Sequence, residues 1–218
     1  MKAEFWVKRW QANQIGFHQN QVNPYLLQYW PQMALSADSE VFVPLAGKSL
    51  DMWWLREQGH RVLGVELSPI AVSDFFSAAD VVPERTQNGP FEQCASDGVT
   101  LLCGDFFALD RALMAGISAV FDRASLVAMP ADMRPDYAAH LMAILSDKCP
   151  ILLVTMEYPE DQMQGPPFPV SEDEVRRLFA PHYRIQRLLQ QDVLEQEAHF
   201  RERGLTSLVE KVFLLTPH

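Results

Sequence analysis

Apolar and polar positions along the chain fall into short alternating blocks, the rhythm of strands and helices taking turns. Val41, Phe42 and Val43 form an apolar β run that Pro44 halts, and Leu45, Ala46 and Gly47 make a turn with little side-chain bulk near its end. A helix follows, with Ser49 as its cap and Gly59 as its close. Residues 61 to 67 then alternate as a buried strand does. Next, Ser68-Pro69 is a cap with proline at the first helical position, which predicts a helix over 70 to 79 burying Val72, Phe75 and Phe76. Residues 80 to 98 read as irregular, with turn signals at Asn88-Gly89 and Asp97-Gly98; 91 to 95 and 99 to 103 pair as a hairpin.

Further along, 117 to 121 is a short apolar strand, Pro130 opens a helix running to 145, and 150 to 155 is a strongly apolar strand. The proline-rich loop GPPFPV at 165 to 170 is rigid and exposes Phe168 as one wall of a substrate pocket. Ser171 and Glu174 form a capping box for a helix over 171 to 179. Closing strands lie at 183 to 189 and 206 to 215, joined by the charged EQEAHFRERG. Strands and helices alternate, then two strands follow without a crossover helix. That order predicts an α/β fold with a mostly parallel sheet and an antiparallel edge, as in adenosylmethionine-dependent methyltransferases.

Residues 1 to 36 form an arm ahead of the first strand. Trp6 and Trp10 share a helix face, Gly16 breaks the pattern, and a second helix covers 23 to 29. Two readings stand side by side. The arm is an amphipathic piece docked on the sheet, or it is an aromatic lid that stacks on adenine, attracts a sulfonium and excludes water.

The candidate chemistry centres on Glu66, which lies 19 residues beyond Gly47 in a βαβ unit. A carboxylate there accepts hydrogen bonds from a ribose diol while the small turn admits the ligand to the backbone. The turn has one glycine where a dinucleotide site has G-x-G-x-x-G. Gly47-Lys48-Ser49 resembles the end of a P-loop, yet Phe42 stands where that motif needs glycine. A phosphate-free nucleoside fits better, S-adenosylmethionine being the common one; the alternative is a Glu66 that merely faces solvent. Asp105, or the backbone of Phe106, meets an adenine amino edge, or Asp105 is a helix cap. Asp122-Arg123 at a strand end is a structural ion pair, or Arg123 faces the pocket and holds a carboxylate or an anionic substrate.

Composition narrows the classes. The chain's 218 residues suit one large α/β domain or two small ones, 48% of them are hydrophobic, enough for a continuous core, and no linker or repeat divides the chain. Its apolar runs fall short of the ~20 residues of a membrane helix, and MKAEFWVKRW lacks a signal-peptide core. A net charge of −10 without basic blocks argues against nucleic-acid partners. Cys94, Cys103 and Cys149 lack zinc spacing and point to a reducing, cytoplasmic compartment. The six histidines have no ligand spacing, and G-x-S-x-G and H-E-x-x-H are absent.

The chain resembles the thiopurine S-methyltransferase family of bacterial type over nearly its whole length. The resemblance rests on FWxxRWxxNQIGFHxxxVNPYL, VFVPLAGKSLDMWWL, GHRVLGVELS, GDFFAL, FDRASLVAMPADMR, EYP…GPPFPV and KVFLLT. Ala46 stands where the family has cysteine, a small-for-small exchange. The resemblance implies a Rossmann-like class I fold, a seven-stranded sheet with an antiparallel edge strand, and a single domain over 1 to 218. Residues 1 to 36 would be its helical lid and 37 to 218 its core. It implies that Trp10, Leu45, Glu66 and Arg123 contact S-adenosylmethionine, with Asp105 and Phe106 near its adenine and Phe17 between donor and acceptor.

The expected reaction moves a methyl group to the sulfur of aromatic or heterocyclic thiols such as thiopurines, giving S-adenosylhomocysteine in a monomeric enzyme without a metal. Such thiols are acidic enough that no strong base is required. Holding the centres in line in a dry pocket is worth up to ~7–11 kcal/mol, and Arg123 is a candidate for favouring the thiolate. Two alternatives accompany this reading: selenium, tellurium or other soft nucleophiles as natural acceptors, and a nucleoside-binding module without turnover.

Overall fold

The computed structural model describes residues 3–218, which group into two compact units. The first runs to Phe121 and includes Ile144–Ser146; the second holds Asp122–Ala143 and Asp147–His218.

The first unit begins with helices α1 (Ala3–Gln11) and α2 (Pro24–Tyr29) and a single 3-10 turn at Trp30–Met33. Then come β1 (Glu40–Val43), α3 (Asp51–Glu57), β2 (Arg61–Glu66), α4 (Pro69–Ala78), β3 (Glu84–Asn88), β4 (Phe91–Ser96), β5 (Val99–Cys103) and all but the last residue of β6 (Ile117–Asp122). Their order across the sheet is β3-β4-β5-β2-β1-β6. The four strands from β5 to β6 are parallel, while β3 and β4 are antiparallel additions at the edge. From Val62 onward β2 is buried on both faces, as a central parallel strand must be. Phe42, Met52, Leu55, Val65, Phe75, Phe76 and Leu101 fill the core, each contributing about 1.5–3 kcal/mol by leaving water. Gly64 makes that packing possible: a Cβ there would lie 2.7 Å from Leu101 and 2.8 Å from Met52.

The second unit contains α5 (Arg134–Ile144), all but the last residue of it, then β7 (Ile151–Glu157), α6 (Glu172–Phe179), β8 (Tyr183–Asp192), α7 (Ala198–Glu202) and β9 (Val209–Pro217). Its strands run in the order β7-β9-β8, antiparallel throughout. Tyr158, Met163, Val193, Leu205 and Leu208 form a cluster of their own there.

The α/β, Rossmann-like expectation holds, with differences of detail. The described residues form nine strands, not seven, the two extra being β3 and β4. β3 sits in the stretch expected to be irregular. It is polar and almost wholly exposed, so no apolar alternation announces it. Its hold comes from pairing with β4, including an Arg85–Glu92 ion pair at 3.1 Å. Helix α5 starts at Arg134 and not at Pro130: residues 131–133 form a tighter turn, closed by Met133 N donating to Pro130 O at 2.9 Å, and the buried Arg134 guanidinium reaches Met129 O at 2.9 Å and Glu174 at 2.6 Å. That same pair takes Glu174 away from the capping box; only the Ser171 half forms, accepting from Glu174 N at 3.1 Å. Leu50, not Ser49, holds the cap position of α3, and Ser49 Oγ accepts from Asp51 N at 3.2 Å.

The arm divides in two. Asn23 caps α2 and donates its own N–H to the buried Asp51 at 2.7 Å, while Trp30 Nε1 donates to His60 Nε2 at 3.1 Å. Leu26 and Trp30 are buried, so this half is docked core. The aromatic half, α1 and Phe17, is taken up below.

Candidate functional site

The end of β1 prolongs the parallel ladder by one bond, from Ala46 N to Val65 O at 2.9 Å. The turn there bends through two left-handed residues, Leu45 at φ +45° and Gly47 at φ +55°. Such a backbone suits glycine and strains leucine, and strain of this kind concentrates at functional sites. Glu66, at the end of β2, is 6% exposed, so it does not face solvent. Its two oxygens are aimed by backbone amides: Gly47 N donates to Oε2 and Ser68 N to Oε1, both at 2.8 Å.

This pairing decides what the turn can hold. In a phosphate cradle the Gly47 amide would point at the anion; here Glu66 accepts it. The turn therefore presents a carboxylate with unused lone pairs, an acceptor for hydroxyls and not an anion hole. Burial pushes the Glu66 pKa up, against the opposing pull of the Ser68, Gly47 and Leu67 amides.

Trp10 on α1 is buried against the same turn, its Cζ2 lying 3.4 Å from where a Gly47 Cβ would stand. Phe17 meets Trp10 edge-on at 5.8 Å and Trp6 at 5.6 Å, so Gly16 returns the chain to the helix it just left. Gly104 N donates to Glu66 O at 2.9 Å, which places Asp105 next along from the end of β2. Asp105 is exposed and caps the 3-10 turn Phe106–Ala108, accepting from Phe107 N at 3.0 Å. Phe106 is buried. Trp10, Leu45, Glu66, Asp105 and Phe106 thus share one neighbourhood at the carboxyl ends of β1, β2 and β5, with Phe17 behind Trp10.

Two predicted residues belong to the second unit. Arg123 is half-buried just after β6. Its neighbour Asp122 is fully buried: Oδ2 accepts from the Tyr137 hydroxyl at 2.7 Å and Oδ1 from Ser125 N at 3.2 Å. Burial pushes the Asp122 pKa up, and that of Tyr137 well above its usual value. Phe168 is half-buried and held through its backbone, with Phe168 N donating to Val127 O at 2.7 Å. Val170 N donates to Met156 O at 2.8 Å, and the Tyr158 hydroxyl to Pro167 O at 2.7 Å. The Phe168 ring occupies the space a Cβ on Gly165 would need, and Gly165 has φ +61°.

Sequence reasoning passed over Lys48 and Asp74. Lys48 drew notice only as part of an incomplete P-loop, and its partner lies 26 residues on, across the βα unit.

The profile of the thiopurine S-methyltransferase family matches residues 1–218. The chain belongs to the thiopurine S-methyltransferase family. Among curated members, the thiopurine S-methyltransferase of Pseudomonas fluorescens (strain Pf0-1) is 50% identical over 213 residues, covering 98% of each chain. That of Nitrosospira multiformis is 48% identical, covering 99% of this chain and 98% of the relative. The fold also matches a Burkholderia thailandensis 1,6-didemethyltoxoflavin-N1-methyltransferase bound to 1,6-didemethyltoxoflavin and S-adenosylhomocysteine. That likeness has a TM-score of 0.64 at 18% identity, over 98% of this chain and 87% of the other. A SAM-dependent methyltransferase from Anabaena variabilis matches with TM-score 0.69 at 9% identity, over 99% and 95%. The expected resemblance, the class I fold and adenosylmethionine-dependent methyl transfer are thereby met for this family member. Among the described residues no helix is long and apolar enough to cross a membrane.

Proposed function

We propose that this family member transfers the methyl group of S-adenosylmethionine to the sulfur of aromatic or heterocyclic thiols such as thiopurines, acting as one domain over residues 1–218. The observation that carries the reading is the Glu66 carboxylate, buried, aimed by the Gly47 and Ser68 amides, and set beside a turn with no phosphate cradle. These residues fit a nucleoside that brings a diol and no phosphate. When bound, the donor supplies an electrophilic methyl group on a cationic sulfur.

The chain's own residues do the rest. Glu66 accepts from the ribose hydroxyls, Leu45 and Trp10 cover the donor, and Asp105 and the Phe106 backbone meet the adenine. Phe17 separates donor from acceptor and keeps water out, while Phe168 forms a wall for the acceptor ring. Arg123 holds an anionic group or favours the thiolate. No side chain has to accept a proton from an acceptor that is already a thiolate at neutral pH. The reading extends to a cytoplasmic monomer with a small-molecule acceptor.

The test pairs calorimetry with turnover. S-adenosylhomocysteine binds the parent protein, and radiolabelled methyl from S-adenosylmethionine appears on thiopurines. No binding to the parent sinks the proposal. Binding without transfer to any thiol leaves a nucleoside-binding module, and volatile products from selenite or tellurite in preference to thiols identify a different acceptor.

A further inference from the structure

Lys48 sits in the Gly47-Lys48-Ser49 string, and in a complete P-loop the lysine at that position reaches for phosphate. The structure gives its ammonium other neighbours. Nζ lies 3.2 Å from Asp74 Oδ2 on α4 and 5.9 Å from the centre of the Trp10 ring on α1. The Asp74 side chain is 45% exposed and that of Lys48 20%, so the ion pair itself contributes only about 0–1 kcal/mol to folding. Its geometric consequence is larger. Trp10 meets the bare backbone of Gly47, the edge of Phe17 and the Lys48 ammonium.

We infer that Lys48 is a positioning residue for Trp10: anchored by Asp74, it holds the indole against Gly47, beside the amide that aims Glu66. Lysine and not leucine serves here because the cation is attracted to the ring face while Asp74 fixes where the cation stands. The inference rests on the donor-binding role proposed for Trp10 and Glu66, and it assigns Lys48 no contact with the donor.

The experiment uses the full chain labelled with 5-fluorotryptophan. Fluorine NMR follows its five tryptophans, Trp10 being assigned by loss of its signal in Trp10→Leu. Lys48→Met shifts or broadens the Trp10 signal, leaves the thermal midpoint close to that of the parent, and weakens S-adenosylhomocysteine about fivefold, the size of a partly desolvated cation–π contact. Lys48→Arg restores affinity to within about twofold, since it keeps the charge. Asp74→Asn moves the same signal in the same direction, which covers the case of a poorly folding Lys48→Met. In a Trp10→Leu background, Lys48→Met costs less than about twofold, because Lys48 acts only through the indole. An unmoved Trp10 signal, or a full fivefold loss in the Trp10→Leu background, overturns the inference. A parent protein that fails to bind S-adenosylhomocysteine removes the proposed function instead, so the two failures are distinct.

Discussion

The turn after β1 and the loop after β7 both follow a strand end, and both set an aromatic ring, yet opposite means hold them. The first is organised by one buried charge: Glu66 takes the Gly47 and Ser68 amides, and Trp10 rests on Gly47. The second is pinned along its length by neutral groups, Phe168 N to Val127 O, Val170 N to Met156 O, and the Tyr158 hydroxyl to Pro167 O. The Glu157 carboxylate at its start accepts from Glu172 N at 2.9 Å and pairs with Lys211. A charge-held turn answers to pH and loses its shape all at once when the charge goes. A loop pinned at several separate points fails by degrees.

The widest gap between the two regions comes from Glu66→Ala. On the proposed donor site it removes the acceptor for both ribose hydroxyls, about 3 kcal/mol at 1.5–3 per charged hydrogen bond, so the expected drop in S-adenosylhomocysteine affinity is about 100-fold by calorimetry. Acceptor-side variants leave that affinity unchanged.

Gly165→Ala is the counterpart in the loop. The new Cβ displaces the Phe168 ring and must adopt φ +61°, which costs about 1–3 kcal/mol in thermal unfolding. It raises the KM for the thiol acceptor severalfold without touching donor affinity. Tyr158→Phe removes a single neutral pin, with a loss of about 1 kcal/mol and a smaller rise in the same KM. Equal effects of either variant on donor and acceptor would erase the distinction.

A pH titration sharpens the comparison further. Because burial raises the Glu66 pKa above its ordinary 4.5, the carboxylate protonates, and donor affinity falls, as pH drops through that raised value. The stability of the free protein runs the other way. A raised carboxyl pKa favours the folded state most below 4.5, and this contribution is lost as pH rises through the folded pKa. Calorimetric affinities measured from neutral pH downward check the first trend, and melting of Glu66→Gln against the parent checks the second.

The smallest expected effect lies away from both regions. His60 is buried with a lowered pKa, chiefly through desolvation, and its Nε2 accepts from Trp30. Stability it contributes is complete above 6.5 and declines as pH falls toward the lowered folded value, so melting points fall less steeply with acid in His60→Gln.

The βα unit and its acid were legible because both are local: an apolar run, a glycine, a cap, and a fixed spacing to Glu66. Ser68 as a cap and the β4–β5 hairpin were legible for the same reason, and Ser68 Oγ does accept from Ala71 N at 3.4 Å. What sequence could not supply was tertiary. Glu66 was expected to receive a ligand's hydroxyls, but nothing in the pattern showed two amides aiming it first. Arg134, at the start of α5, is fastened to Glu174, 40 residues away. The Lys48–Asp74–Trp10 grouping joins three separate stretches of chain and has no linear signature.

β3 carries a consequence of its own. It is the outermost strand of the first unit, and Glu84, Arg85, Thr86 and Gln87 turn water-loving side chains to both sides. A stray chain that zipped onto this border would gain backbone bonds but bury no apolar surface. At this edge the first unit's strands are thereby extended and closed to growth in one stroke, and Arg85→Val with Gln87→Val, which makes the rim apolar, turns solutions cloudy at lower concentration than the parent.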